Sequence, residues 1–291
     1  MSQAVLMSGG HGFIGRRLSP VLTKLGWDVR MVDRRGQPRE AGSTVGDRSP
    51  AASAFVHLAF PASPAARRSP AGHLLAEVRA QTSQCLSTAQ GGGLIHFVLA
   101  SSGKVYGRAG RLPITEDHPV NPTTLLGKLK REQEHLVALE ALRSRRMGST
   151  LLRIFNVYGP AQSDEFLIGH LARGLRRGAA IPLGELSHGR DWLYVDDVAA
   201  AFALALANPP APGEVRVMNV ASGIATTAKE IVSRLEAITG HRIRVIPDPR
   251  RARPDEPQCE YADARPLREL CWQPKVSLNE GLARVWQAVR E

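Results

Sequence analysis

Short apolar runs rich in β-branched residues alternate along the chain with longer segments of helical periodicity. The apolar runs predict strands at 3–8, 28–33, 54–60, 94–101, 149–155 and 215–220. The helical segments predict helices at 12–25, 71–90, 121–145, 163–177, 195–207, 226–239 and 278–290. This alternation is typical of βαβ units, in which helices cover a parallel sheet. We therefore expect an α/β fold with a doubly wound parallel sheet.

A glycine-rich stretch, SGGHGFIG, follows the first predicted strand and leads into the first predicted helix. It places Gly9, Gly12 and Gly15 in a G-x-x-G-x-x-G pattern. Glycines let the backbone approach a pyrophosphate closely, and a helix N-terminus offers free N–H groups and the positive end of its dipole. We therefore expect these glycines, with Phe13 and Ile14, to bind a dinucleotide. A strand–turn–helix without a ligand is the alternative.

An acidic residue at the end of the second strand extends this prediction. Asp33 lies 18 residues beyond Gly15 and can accept hydrogen bonds from both ribose hydroxyls of an adenosine. It would repel a 2′-phosphate, so NAD is the expected cofactor. Arg34 and Arg35 follow immediately and could bind that phosphate, which leaves NADP open. Asp47 is a further, weaker candidate for contact with the adenine.

Composition and charge limit the classes of partner. The formal charge is +11, but only six of the 38 basic residues are lysines, and the arginines are scattered. Aromatic residues make up 5% of the chain, so stacking platforms for bases are scarce and a nucleic-acid partner is not expected. No apolar run approaches the ~18 residues of a membrane span. The N-terminus has no signal-peptide pattern, and the three cysteines lack metal-ligand spacing, so we expect a cytoplasmic protein without a metal.

Several further segments follow one another in the order found in a known protein family. They are FVHLAF (55–60), FVLASSGKVYG (97–107), LRIFNVYGP (152–160), RDWLYVDDV (190–198) and YADARPLRELCWQPKVSLNEGL (261–282). With SGGHGFIG they cover nearly the whole chain, which resembles the extended short-chain dehydrogenase/reductases, in the NAD-dependent epimerase/dehydratase family acting on nucleotide sugars. The resemblance implies a Rossmann domain, a nicotinamide cofactor, a nucleotide-sugar substrate and usually a homodimer built on two helices of each subunit.

The resemblance also implies a division of the chain. Residues 1–155 would form the dinucleotide-binding Rossmann domain, which also receives segments near 190–220. Residues 156–291 would form most of a smaller, discontinuous C-terminal substrate lobe. Only Arg48 to Ala54 separate Gly46-Asp47 from FVHLAF, which is too short for a helical crossover. A peripheral element is therefore expected to be missing there.

The family's working residues are a serine or threonine, a tyrosine and a lysine. By resemblance, Ser102 in SSGKVYG hydrogen-bonds the reacting oxygen, and Lys130 binds the nicotinamide ribose. The helix normally reads Y-G-x-x-K-x-x-x-E, and here it reads LGKLKREQE, so that Lys130 and Glu134 match. Leu126 stands in place of the tyrosine and cannot donate a proton.

The proton donor could therefore have moved. Tyr106 is one candidate, although its VYG segment is mostly structural in the family; Thr123, Thr124, Lys104 and a lysine-held water are others. Gly103 and Lys104 stand where sugar 4,6-dehydratases have an acidic pair, so dehydration is not expected.

Three residues are implied on the substrate side. Asn156 matches an asparagine that contacts the sugar diphosphate, and Arg190 and Arg253 match arginines that hold phosphate and nucleotide. A guanidinium fork suits phosphate oxygens, which supports these roles. The alternative is that both are surface arginines of an arginine-rich chain. Asp255 replaces a more usual glycine beside Arg253.

These observations lead to a first hypothesis and two alternatives. The first is an NAD(P)-dependent ketoreductase of a nucleotide-linked keto-(deoxy)sugar, with a proton donor other than residue 126. A nucleotide-sugar epimerase is a close alternative. An alternative of another class is a non-catalytic protein that binds cofactor or nucleotide sugar.

Overall fold

The computed structural model describes residues 3–33, 52–61, 69–251 and 256–291, which group into two compact units. The first unit contains Met1–Val105, Leu125–Arg153 and Ala199–Met218, and the second contains Tyr106–Thr124, Ile154–Val198 and Asn219–Glu291. The boundary expected at residue 155 lies beside the change of unit after Arg153. The segment Tyr106–Thr124 groups with the second unit, although the sequence suggested the first.

Helices and strands alternate through most of the described chain. The strands are β1 (Ala4–Ser8), β2 (Asp28–Val32), β3 (Ala52–His57), β4 (His96–Ser102), β5 (Gly148–Ile154), β6 (Asn156–Tyr158), β7 (Ile181–Leu183), β8 (Gly189–Tyr194), β9 (Val215–Val220), β10 (Ala225–Thr227), β11 (Val245–Pro247) and β12 (Cys259–Glu260). The helices are α1 (Gly15–Lys24), α2 (Ala71–Gly91), α3 (Leu125–Ser144), α4 (Leu167–Arg176), α5 (Val195–Ala207), α6 (Ala228–Thr239), α7 (Arg265–Glu269) and α8 (Leu278–Arg290).

The main sheet has the strand order β2-β1-β3-β4-β5-β9. Strand β1 pairs in parallel with β2 on one edge and with β3 on the other, so the order of strands reverses at β1. Every residue of β1 and of β5 is buried. Strands buried on both faces are expected where helices cover both sides of a parallel sheet. The predicted doubly wound α/β fold is confirmed.

Helices α2 and α3 pack side by side, and both contribute to the core next to the sheet. Phe55 of β3 stacks on Phe97 of β4 with ring centroids 5.2 Å apart. Cys85 and Leu86 of α2 and Val137 of α3 belong to the same apolar cluster. This packing fixes the face of α3 that carries the predicted lysine.

The second unit is built around β8. This strand pairs with β10 in antiparallel and with β12 and β6 in parallel, while β7 and β11 form a separate pair. Helices α4, α6 and α8 pack together. Helix α6 begins at a capping box, in which Thr227 and Glu230 satisfy each other's backbone N–H groups. The N-terminal cap of α8 is Ser277.

The six predicted strands and seven predicted helices are all present, and the differences lie at their ends. The helix predicted from residue 12 begins at Gly15, which leaves Gly12 to Ile14 in the turn. The strand predicted to reach Phe60 ends at His57. Several short elements of the second unit, including β6 and β7, were not predicted, because three-residue strands give no periodic signal.

None of the helices in the described ranges has the length and apolar character needed to cross a membrane. The same ranges contain no group of three or more His, Cys, Asp and Glu side chains that could hold a metal ion. The thiols of Cys85, Cys259 and Cys271 are free, and only the first is buried.

Candidate active site

The glycine-rich turn directly follows β1, and its first glycine has no possible substitute. Gly9 adopts φ +73°, a left-handed conformation that residues with a side chain rarely take. A Cβ atom at this position would also lie 2.6 Å from the backbone nitrogen of Ala59. Both the conformation and the close approach to the chain after β3 therefore require glycine.

A second close contact joins the turn to the start of α1. A Cβ atom at Gly15 would lie 2.5 Å from the Cα atom of Gly10, and a Cβ atom at Gly10 would lie 2.1 Å from the sulfur of Met31. Gly15 therefore needs to be a glycine, because the atom it would meet is backbone, whereas a Cβ atom at Gly10, which the predicted pattern did not include, would meet the flexible end of the Met31 side chain.

The third predicted glycine differs from the others. A Cβ atom at Gly12 would have, among the described residues, only the carbonyl oxygen of Gly9 within 4 Å, at 3.0 Å. The turn is therefore open beside Gly12. Helix α1 begins just beyond it without a side-chain cap at Ile14 and without an acidic residue in its first turn. This open, uncapped and positive helix end fits the pyrophosphate of a dinucleotide, with Phe13 in the same turn.

Asp33 directly follows β2 and is half-buried. The carboxyl ends of β1 and β2 lie at the same edge of the sheet because the strands are parallel neighbours. Asp33 thus lies on the side of the sheet where the glycine-rich turn begins, as binding a ribose next to the pyrophosphate requires. Arg34 and Asp47 lie outside the described residues.

Lys130 is buried on α3 and its ammonium group has three neighbours. Nζ donates to the carbonyl oxygen of Ala100 at 2.7 Å and to Oε1 of Gln133 at 2.9 Å, and lies 4.3 Å from the centre of the Phe60 ring. Burial lowers the pKa of Lys130 to about 7, and the carboxylate of Glu134 acts in the opposite direction. The group can therefore exchange a proton near neutral pH.

Ser102 ends β4 and is half-buried, and its Oγ accepts a hydrogen bond from the N–H of Lys104 at 3.2 Å. The preceding Ser101 has a different role, because it donates to Oε1 of Glu134 at 2.5 Å. Glu134 also forms a two-bond ion pair with Arg153, at 2.9 and 2.8 Å. Glu134 therefore connects α3 to β4 through Ser101 and to β5 through Arg153. Arg153 was missed by the sequence analysis, although its position on a buried apolar strand was a signal.

Leu126 lies in the first turn of α3, and 41% of its surface is exposed. The neighbouring Leu125 is exposed to a similar extent. Thr123 and Thr124 directly precede the helix. The position where a tyrosine was expected thus carries an exposed apolar side chain, one turn before Lys130.

Tyr106, the sequence candidate for a relocated acid, is almost completely buried. Its hydroxyl donates to Oδ1 of Asn219 at 2.7 Å, and its ring meets His118 edge to face, with centroids 6.3 Å apart. Asn219 is also buried and donates to the carbonyl oxygen of Ile114. These contacts favour the structural interpretation of the VYG segment over the catalytic one.

In the second unit, Asn156 lies on β6 opposite Trp192 of β8. Its side-chain amide donates to the carbonyl oxygen of Asp191 at 3.2 Å. The buried carboxylate of Asp191 accepts from the backbone N–H groups of Ser222 and Gly223, at 2.7 and 2.9 Å. Asp191 therefore fixes the loop after β9 to β8. Its neighbour Arg190 was predicted from the sequence, but Asp191 was not.

Arg190 lies on β8 and is held by two carboxylates. Nη2 lies 3.0 Å from Oε2 of Glu256, Nε lies 3.9 Å from Oε2 of Glu260, and Nη1 donates to the carbonyl oxygen of Gly189. The side chains of all three charged residues are nearly buried. A phosphate that binds Arg190 must therefore compete with Glu256. Arg253 lies outside the described residues.

Comparisons with known proteins identify the family and the fold. A model of the NAD dependent epimerase/dehydratase family matches residues 5–221. GDP-6-deoxy-D-mannose reductase of Pseudomonas aeruginosa is 29% identical over 311 residues, covering 100% of both chains. UDP-glucose 4-epimerase of Corynebacterium glutamicum is 27% identical over 309 residues, covering 93% of this chain and 91% of that protein. A Methanocaldococcus jannaschii protein, provisionally named UDP-glucose 4-epimerase, is 31% identical over 194 residues. That match covers 65% of this chain and 61% of that protein, less than two thirds of its length.

Three solved structures each match 99% of this chain with a TM-score of 0.84. One is the UDP-glucose 4-epimerase of Thermotoga maritima with UDP-glucose, at 26% identity and 99% of that chain. The second is MoeE5 in complex with UDP-glucose and NAD, at 29% identity and 98% of that chain. The third is RMD from Pseudomonas aeruginosa complexed with NADPH, at 25% identity and 99% of that chain.

Proposed function

The chain belongs to the NAD dependent epimerase/dehydratase family, and from that premise we propose that it is a ketoreductase of a nucleotide-linked keto-(deoxy)sugar. The family and its relatives confirm two predictions: the protein is an enzyme of the extended short-chain dehydrogenase/reductase type, and its cofactor is a nicotinamide dinucleotide. The choice of reductase over epimerase, the substrate and the residue roles are our proposal.

The observation that supports a reductase is the pairing of Leu126 with an intact Lys130. A 4-epimerase must remove the hydroxyl proton and return it within one cycle, which is the work of a well-placed acid–base group. A ketone reductase needs only one proton delivered after hydride transfer. Loss of general acid catalysis typically slows a reaction by about 10²–10⁴-fold, so a reductase could still turn over with a less suitable donor. The relatives include both a reductase and epimerases, so an epimerase remains the second candidate.

The cofactor roles follow from the glycine-rich turn. The backbone beside Gly12, Phe13 and Ile14 would bind the pyrophosphate, and Asp33 would accept the ribose hydroxyls of the adenosine. Asp33 supports NAD as the preferred cofactor, since a carboxylate repels a 2′-phosphate. Lys130 would bind the hydroxyls of the nicotinamide ribose. The reduced nicotinamide supplies the hydride.

The proton would come from Lys130, directly or through a water that it holds. Two observations support this choice. Burial lowers the pKa of Lys130 to about 7, so that its ammonium form can release a proton at neutral pH. The hydroxyl of Tyr106 already donates to Asn219. Ser102 would polarise the ketone, hydride would add to the carbonyl carbon, and the resulting alkoxide would take the proton from Lys130. Solvent would then reprotonate the amine.

Asn156 and Arg190 would bind the diphosphate of the nucleotide sugar. Arg190 is nearly buried and its guanidinium is already positioned by Gly189 and Glu256, which limits the entropy lost on binding. The negatively charged substrate would take the place of Glu256 as the partner of Arg190.

We also propose a cytoplasmic homodimer. Free thiols are typical of a reducing compartment, and the chain has three. The dimer would form on a surface that we call the outer groove, on the two helices α2 and α3. Its lining residues are Ser83, Leu86, Ser87, Gln90, Leu136, Leu139, Glu140 and Arg143. Leu139 and the nearby Leu142 are strongly exposed for leucines.

Isotope transfer tests the proposed reaction. The protein would be incubated with NADH carrying deuterium at the transferring position and with a nucleotide 4-keto-6-deoxyhexose. A reductase incorporates one deuterium into the sugar and consumes one NADH for each product molecule. An epimerase interconverts stereoisomers of UDP-glucose type substrates without net NADH consumption. A binding protein does neither, although calorimetry would still detect cofactor binding.

A further inference from the structure

A row of buried polar side chains in the first unit connects Lys130 to the last residue of β1. Its members are Lys130, Gln133, Thr82, His57 and Ser8, and each is at most 7% exposed. Gln133 Oε1 accepts from Lys130 at 2.9 Å, while its Nε2 lies 3.1 Å from both His57 Nε2 and Thr82 Oγ1. His57 Nδ1 lies 2.6 Å from Ser8 Oγ. Ser8 directly precedes Gly9, so the row ends at the glycine-rich turn.

The chemistry of these groups fixes which atoms donate and which accept each hydrogen bond along the row. An ammonium group can only donate hydrogen bonds, so the Gln133 oxygen must face Lys130 and its NH₂ group must face His57. His57 Nε2 is then an acceptor, which places the ring proton on Nδ1, where it donates to Ser8. Burial and the charge of Lys130 lower the pKa of His57 to about 3, which keeps the ring neutral, as this arrangement needs.

We propose that Gln133 is a positioning residue that aims the ammonium group of Lys130 and stabilises its protonated form. This inference rests on the proposed role of Lys130 in the reaction. Gln133 and Ala100 accept two of the three N–H bonds of Nζ, and tetrahedral geometry then fixes the direction of the third. Because His57 and Thr82 hold the amide of Gln133, its oxygen cannot turn away from Lys130 without breaking buried hydrogen bonds.

Within the described part of the chain, the charged and titratable groups around Lys130 are few. Glu134 on the same helix favours the ammonium form, and neutral His57 on β3 lies beyond Gln133. The ring of Phe60, after β3, also favours the cation. On α2, Thr82 contributes a hydroxyl, and Cys85 beside Ser8 stays protonated because burial raises its pKa to about 12. Gln133 is therefore the neutral group whose removal should change the titration midpoint of Lys130 most directly.

The experiment is an NMR titration of the ligand-free protein labelled with ¹³C-lysine. The chain has only six lysines, and the Lys130→Met variant identifies the signal of Lys130. In Gln133→Met the ammonium loses one acceptor, and the titration midpoint of Lys130 should fall by about one pH unit. In Gln133→Glu a carboxylate replaces the amide, so the midpoint should rise. The control Val137→Ala removes buried packing one turn further along α3 and should leave the midpoint unchanged.

A midpoint in Gln133→Met that stays within about 0.3 pH units of the unmodified protein would overturn the proposal. If that variant fails to fold, Gln133→Glu decides. Its new carboxylate faces His57 Nε2, and histidine signals should show that His57 gains a proton at a higher pH than before. An unchanged His57 and an unchanged Lys130 in that variant would likewise overturn it. Neither measurement needs a sugar substrate, so failure of the proposed reaction and failure of this proposal are separate results.

Discussion

Leu126 and Lys130 lie one helical turn apart on α3, the first exposed and apolar, the second buried with its ammonium directed at Ala100 and Gln133. In the family pattern these positions carry the tyrosine and lysine that work together. Here the lysine keeps its buried contacts while its partner position can take no part in proton transfer. On the proposed assignment, the site would therefore keep the parts that bind the cofactor while position 126 lacks the usual acid.

The buried lysine should make stability depend on pH in a defined range. Its pKa is lowered from 10.5 to about 7, so between these values the unfolded chain binds a proton that the folded chain does not. The free energy of unfolding should therefore rise as the pH rises from about 7 to about 10.5. Urea unfolding across this range should show a smaller rise in Lys130→Met. The control Lys128→Met, at an exposed position on the same helix, should keep the full rise. Equal slopes in all three proteins would contradict the burial of a titrating Lys130.

The ion pair between Glu134 and Arg153 should be a major structural contact. Replacing Arg153 by Met leaves the carboxylate of Glu134 buried without its cation, which should lower the free energy of unfolding by about 3–5 kcal/mol. Adding Glu134→Met should recover much of that loss, since the second charge is then also removed. The exposed pair of Arg111 and Asp117 offers a control: Arg111→Met should change stability far less. Similar losses from the buried and exposed arginines would refute this assignment.

Glu256 should compete with phosphate for Arg190. In Glu256→Gln the guanidinium loses its nearer competing carboxylate and keeps Glu260, at 3.9 Å, so UDP-glucose or GDP-mannose should bind about 3- to 10-fold more tightly. In Arg190→Met binding should weaken by about 10- to 100-fold. Calorimetry measures both changes, and Arg242→Met, at a fully solvent-facing position of the same unit, serves as the control. If Arg190→Met binds either nucleotide sugar as well as the unmodified protein, Arg190 does not bind the diphosphate.

The outer groove on α2 and α3 should be a dimer surface. Light scattering should give a dimer for the unmodified protein and a monomer for Leu139→Asp, because the new carboxylate would have to lose its water in the interface. Leu25→Asp introduces the same charge at an exposed leucine after α1 and should remain dimeric. A monomeric unmodified protein would exclude this arrangement, and a dimeric Leu139→Asp would place the interface elsewhere.

The sequence predicted the sheet because strands such as β1, β4 and β5 are long enough, and buried enough, to give apolar runs. It also predicted the glycine-rich turn, although the close approach of Gly15 to the backbone of Gly10 is a contact that sequence spacing does not reveal. Tyr106 was predicted as a candidate donor, and the sequence could not show that its hydroxyl donates to Asn219, a residue 113 positions away. Gln133, His57 and Thr82 come from three different elements, and no local pattern could have grouped them. Such long-range hydrogen bonds were the part of the site that sequence reasoning could not supply.

The most direct test of the account is the loss of reduced-nicotinamide absorbance with NADH and a nucleotide 4-keto-6-deoxyhexose. The unmodified protein should oxidise NADH only when the sugar is present, Lys130→Met should lose at least about 10²-fold in rate, and Leu126→Tyr should gain at least about tenfold, with Leu126→Phe as its control. No sugar-dependent oxidation by the unmodified protein, in a sample that still binds NADH, would contradict the proposed reductase. Full activity in Lys130→Met would contradict the proposed proton donor.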